Sequence, residues 1–165
     1  MKKPVSTFAL SLGLALIVSA ANAQAVRTEK NISLDLANQI ASATVAACAV
    51  NGYAVAATVV DRAGTLRVVQ RADNAGPHTL ASSLQKAWTS ASARNTTQAM
   101  MEGAQKNPAA ANLVYLPGFL LLGGGVPIKV DNETIGAVGV GGAPGGQLDE
   151  QCALAGIDKV KELLK

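Results

Sequence analysis

The chain has 165 residues, with 14 Lys and Arg against 11 Asp and Glu, a length that suits one domain around a single core. Lys2 and Lys3 fall in a leader-like segment. Beyond it 12 basic side chains face 11 acidic ones without clustering, which excludes a nucleic-acid footprint. Past residue 23 the aromatics are Tyr53, Trp88, Tyr115 and Phe119, too few for a platform that stacks bases or sugars.

The N-terminus reads as a secretory address. Lys2 and Lys3 supply the positive start, Phe8 to Ala20 an apolar run, and Ala21-Asn22-Ala23 the small-x-small pattern of a cleavage site. The expected division is a signal peptide at 1–23 and one domain at 24–165, periplasmic or secreted, with no membrane span after cleavage. An uncleaved anchor is the alternative.

Ser33 is placed to cap a first helix, along which Leu36, Ile40, Ala43, Ala47 and Val50 recur at helical spacing until Asn51-Gly52. Tyr53 to Val60 and Thr65 to Arg71, joined by Asp61-Arg62-Ala63-Gly64, read as a β-hairpin. After a loop ending in Gly76-Pro77, a helix is predicted from Thr79 to about Arg94, and a second from Thr97 to about Lys106. Asn107-Pro108 ends that one. Asn112 to Phe119 reads as an ordered loop. A second hairpin pairs Val126 to Val130 with Thr134 to Val140, Gly141 to Gly146 forms a loop, and a last helix starts near Leu148. Two hairpins among helices imply an α+β domain with an antiparallel sheet.

Cys48 and Cys152 are too far apart for a CxxC or clustered zinc motif. In an exported chain the pair reads as a disulfide, with two buried thiols as the alternative. Metalloprotease, P-loop and nucleophile-elbow motifs are missing. The glycine stretches at 123–125 and 139–146 do not form GxGxxG, because Pro144 takes the third glycine position. Close backbone packing and turns at positive φ account for them better than phosphate cradling does.

His78 is the chain's one histidine and sits where a loop becomes a helix. A lone imidazole is enough for an axial haem ligand or a general base, and a surface helix-capping residue is the bland alternative. Arg71, Asp73 and Lys86 flank it in sequence, as cationic contacts for carboxylates or as a structural Arg–Asp pair beside a solvated lysine. Thr96 and Thr97 are capping groups or weak ligands. Trp88 is a candidate to pack on a flat ligand or simply core.

Several runs are familiar together. Val59 to Leu66 resembles "VVD..G.L", Arg71 to Thr89 resembles "R.D.A.......KA.TA", Gly124 to Ile128 resembles "GG.PI", and Ile135 to Ala143 resembles "IGA.GV.GA". In this order they resemble the GlcG/HbpS family along nearly the whole domain. The resemblance implies a profilin-like α/β sandwich, a central antiparallel sheet flanked by helices, often oligomeric and binding haem in several exported members. It implies capture, sensing or protection, with a membrane sensor among the partners such a protein could meet.

The iron ligand implied by the resemblance is a threonine in one branch and a histidine in another, so Thr97 and His78 both stand as candidates. Arg71 and Lys86 would meet propionates, and Gly124 and Gly125 would border the cleft. Two other readings stay open: an enzyme acting on haem or a small organic acid, and an oligomeric interaction module without a ligand.

Overall fold

A computed structural model describes residues 26–165, so the leader and its cleavage site lie outside the described residues. Helix α1 (Leu34–Val50) leads into β1 (Ala56–Asp61) and β2 (Leu66–Arg71), followed by α2 (His78–Ala93), α3 (Thr97–Lys106) and a short α4 (Pro108–Ala111). Then come β3 (Gly125–Val130), β4 (Glu133–Gly141) and α5 (Gly146–Lys159). The two hairpins join through β1 and β4 into one antiparallel sheet of order β2-β1-β4-β3. The α+β domain expected from the order of elements, and the sandwich implied by the family resemblance, are the observed architecture.

The two faces of the sheet differ in side-chain size, and that difference sets how the helices approach. Alternation puts Val59, Val126, Val138 and Val140 on the face that packs with Ile40, Cys48, Cys152 and Ala153 of α1 and α5. The opposite face carries Thr58, Ala137, Gly139 and Gly141, and α2 lies on it. A Cβ at Gly139 would stand 3.0 Å from the Cα of Ala87 and closer still to the backbone of that helix turn. Glycine there allows the helix to approach the sheet at backbone contact distance. The hydroxyls of Thr58 and Ser83 meet across this seam at 2.7 Å, so the polar atoms in it are partnered.

Local chemistry explains most boundaries. The Ser33 hydroxyl accepts from the Leu36 N–H, and Thr96 does the same for Ala99 at the start of α3. Asn107 caps α4 and Pro108 occupies its first turn, so the pair that ends one helix starts another. The loop expected at Asn112 to Phe119 contains a 3-10 turn at Asn112–Tyr115. β1 starts three residues later than the apolar run suggested, and α5 begins at Gly146, two residues before Leu148.

Cys48 and Cys152 form a disulfide, with Cα atoms 5.2 Å apart, tying the end of α1 to the second turn of α5. Closing a loop of 104 residues restricts the unfolded chain far more than the folded one. Reduction, or replacement of both cysteines by alanine, is expected to lower unfolding free energy in urea by about 3–5 kcal/mol. A midpoint unmoved by reduction would contradict this.

Candidate functional site

Two of the polar side chains singled out in the sequence, His78 and Lys86, border one cleft at the end of the sheet where β4 gives way to α5. Lys86 lies on the inner side of α2 and is 1% exposed. Its ammonium donates to the Val140 carbonyl at 2.9 Å and to Asp149 Oδ2 at 2.7 Å. Asp149, on the first turn of α5 and 3% exposed, takes the Ala143 N–H on its other oxygen at 2.9 Å. The pair therefore crosses the sheet end and ties the helix on one face to the helix on the other. Burial pushes the Asp149 carboxyl above its ordinary range, against the downward pull of Lys86 and the Ala143 amide.

Gly124 makes room for that crossing. Its φ is +119°, and a Cβ there would lie 2.7 Å from the Asp149 Cβ and 3.1 Å from Lys86 Nζ. Gly125 is packed as closely beneath Thr97, whose hydroxyl accepts from the Gly125 N–H and donates to the Leu122 carbonyl, both at 2.8 Å. Gly124 and Gly125 thus form the packed floor under the site.

Above this floor is a cleft of about 230 Å³, bordered by His78, Ser82, Leu122, Pro144, Gly146 and the Lys86–Asp149 pair. His78 is the first residue of α2 and is exposed. A Cβ at Gly76 would stand 2.8 Å from the imidazole Cε1 and 2.9 Å from Nδ1, but 3.9 Å from Nε2. The ring therefore lies against Gly76 by its Nδ1–Cε1 side. A larger cavity of about 360 Å³ lies by the β3–β4 turn. Two of its cations are already spent, Lys30 on Asp131 and Arg62 on Glu133.

The other sequence candidates fall elsewhere. Thr97 is fully buried and its hydroxyl is committed on both sides, so it serves as a pin between α3 and the Leu122–Gly125 strand entry rather than facing the cleft. Arg71 is exposed and donates to the Ala75 carbonyl, away from the cleft lining. No Arg71–Asp73 ion pair is present among the described residues, and Lys86 is not a solvated lysine. Trp88 packs edge-on against Phe119, with ring centroids 5.6 Å apart, and lies against Gly64 and Gly118. Thr96 is the α3 cap. Among the described residues no group of three or more His, Cys, Asp or Glu could hold a metal ion, and no helix is long and apolar enough to cross a membrane.

Asp149 is a residue of the site that the sequence reading did not single out. Lys86 gave little signal of its burial, since its neighbours one turn away on α2 are the small polar Ser82, Ser83, Thr89 and Ser90.

A family model described as "Haem degrading protein HbpS-like" matches residues 32–158. The chain belongs to the HbpS-like family. It is similar to Protein GlcG of Escherichia coli K12, 38% identical over 109 residues that cover 64% of this chain and 80% of that protein. The crystal structure of a double mutant of HbpS from Streptomyces reticuli superposes with a TM-score of 0.77 at 32% identity. It covers 95% of this chain and 99% of HbpS. PduOC, solved as a heme complex, shares the fold at a TM-score of 0.69 and 23% identity, over 78% of this chain and 94% of its own. The resemblance carried by the four ordered motifs is thereby borne out.

Removing one member of the buried pair strands the other. Lys86→Ala is expected to cost about 3–5 kcal/mol in chemical denaturation, whereas Lys86→Met with Asp149→Leu recovers most of that. A single variant as stable as the wild type would show that the pair does not hold the layers.

Proposed function

We propose that this HbpS-like protein binds haem beside His78, with the imidazole as axial ligand. The observation that carries the reading is that the chain's one histidine stands exposed on the rim of the glycine-loop cleft. Family membership supports it, as does the heme on this same fold in PduOC.

The surroundings suit a flat apolar ring with polar edges. Ligand cavities for molecules of drug size are usually about 300–1,000 Å³, so a cleft of about 230 Å³ takes only part of a tetrapyrrole. The rest would lie over Leu122, which is 43% exposed on the border of the cleft. Bound iron supplies the redox and ligand-binding chemistry of haem. The chain's own contribution is to orient one imidazole, to shield one side of the ring, and to hold the glycine loop rigid through Asp149.

We also propose that the protein is exported and works outside the cytoplasm in haem capture, sensing or protection. The leader pattern at 1–23 and the Cys48–Cys152 disulfide support export, since such bonds persist in oxidising compartments. Protein recovered from a periplasmic fraction should begin at Gln24, and an intact Met1 would contradict it. Haem breakdown is a second reading, favoured by the description of the matching family.

Hemin titration followed at the Soret band tests the site. Saturable binding is expected, at least about tenfold weaker in His78→Ala. Gly76→Ala should leave stability within about 0.5 kcal/mol, because a surface ring can swing aside, yet weaken hemin by re-aiming the imidazole. Equal affinity in all three proteins would overturn the assignment. A Soret band that persists under a reductant and air favours binding, and one that decays only with His78 present favours breakdown.

A further inference from the structure

Two side-chain oxygens buried where α3 meets α5, Gln98 Oε1 and Glu150 Oε2, have no hydrogen-bond partner among the described residues. Gln98, in the first turn of α3, donates through Nε2 to Glu102 Oε1 at 2.8 Å, which turns its own oxygen inward. A Cβ at Gly123 would collide with that oxygen and with the Gly146 backbone, so the amide sits where the entry to β3 crosses the start of α5. Glu150 stands one turn after Gly146 on the same face of α5, and helical side chains lean towards the N-terminus. Its carboxyl lies by the Thr96 hydroxyl and the Gln98 and Gly124 amides. Two acceptors therefore meet at one dry junction, and an ionised carboxylate has no hydrogen to offer the other. The charged group facing Glu150 from α3 is Glu102, which repels it. Beyond Gly124, Lys86 is neutralised by Asp149. The charges on α1, β3 and β4 are Asp35, Lys129 and Glu133, each towards the end of its element away from Gly146. Burial foremost, with Glu102 adding to it, pushes the Glu150 carboxyl above its ordinary range, against the pull of Thr96 and the two amides.

We propose that Glu150 is a proton-dependent latch: as a neutral acid its O–H donates to Gln98 Oε1 and joins α5 to α3. One proton turns an acceptor into a donor and satisfies both oxygens. The junction matters because α3, α4 and the 3-10 turn after them bury Thr97 alone, so this arm is held to the body at the start of α3. Leu122, at the far end of the arm and on the border of the cleft, is tied to the same start by the Thr97 hydroxyl. The folded protein holds this proton more tightly than the unfolded chain does. The hold is therefore complete below the ordinary carboxylate range and is lost as pH rises through the raised Glu150 value. This goes beyond the haem reading and does not depend on it.

The test is carbon-13 NMR of the side-chain carboxyls in the hemin-free protein, together with amide hydrogen exchange along α3. Glu150, identified by the signal lost in Glu150→Gln, should titrate above the other glutamates, and the Gln98 side-chain amide should follow the same curve. Protection along α3, corrected for intrinsic exchange, should fall at least about threefold as pH rises from about 5 to about 8. Glu150→Gln keeps a donor at every pH and should hold that protection constant. Gln98→Ala should lower the Glu150 midpoint, which burial of the carboxyl alone would not do. Three results would each overturn the proposal: Glu150 titrating with the exposed glutamates, wild-type α3 protection that ignores pH, or a Glu150 midpoint unmoved in Gln98→Ala.

Discussion

The buried ion pair of Lys86 and Asp149 is the constraint around which this domain is arranged. Each charge would be costly alone in a place this dry, and each is satisfied only because the other arrives from the opposite face of the sheet. That geometry requires α2 and α5 to begin near the same sheet end. It also requires Gly124 to leave the crossing open and Ala143 to turn its amide inward. The glycine loop between β4 and α5 is therefore a fixed surface, held by a carboxylate in its own following helix. The disulfide one turn further along α5 fixes that helix to α1.

A second consequence follows from side-chain size. Because the α2 face of the sheet is floored with Gly125, Gly139 and Gly141, α2 sits close enough for the Lys86 stem to reach through. The same closeness sets the start of α2 beside the glycine loop and leaves His78 on the border of the cleft. Function and packing share these residues: the pair and the glycines shape the cleft, and the exposed imidazole stands on its border.

Much of this was legible in the sequence, for identifiable reasons. Caps at Ser33, turn residues around Asp61 and the two alternating hairpins are local signals, and each has the expected local structure. The disulfide was readable from an even cysteine count in a chain with a leader pattern. The site was harder, because its geometry depends on contacts between residues far apart in sequence. Lys86 read equally well as a solvated lysine, since nothing near it shows that Asp149, 63 residues on, will meet it. Thr97 stood as a ligand candidate through the family resemblance, with capping as its local alternative; only the fold brings Gly125 and Leu122 to bond its hydroxyl. The short helix after Asn107 was hidden because the same Asn-Pro pair stops one helix and starts another.

The account stands or falls on whether iron is held by the imidazole at the cleft. With a single histidine in the chain, labelling histidine with nitrogen-15 marks one side chain only. Pulsed electron paramagnetic resonance of the hemin complex should then show coupling from a nitrogen-15 nucleus bound directly to the iron. Coupling from the ring nitrogens of the haem alone would contradict it and place the ligand elsewhere.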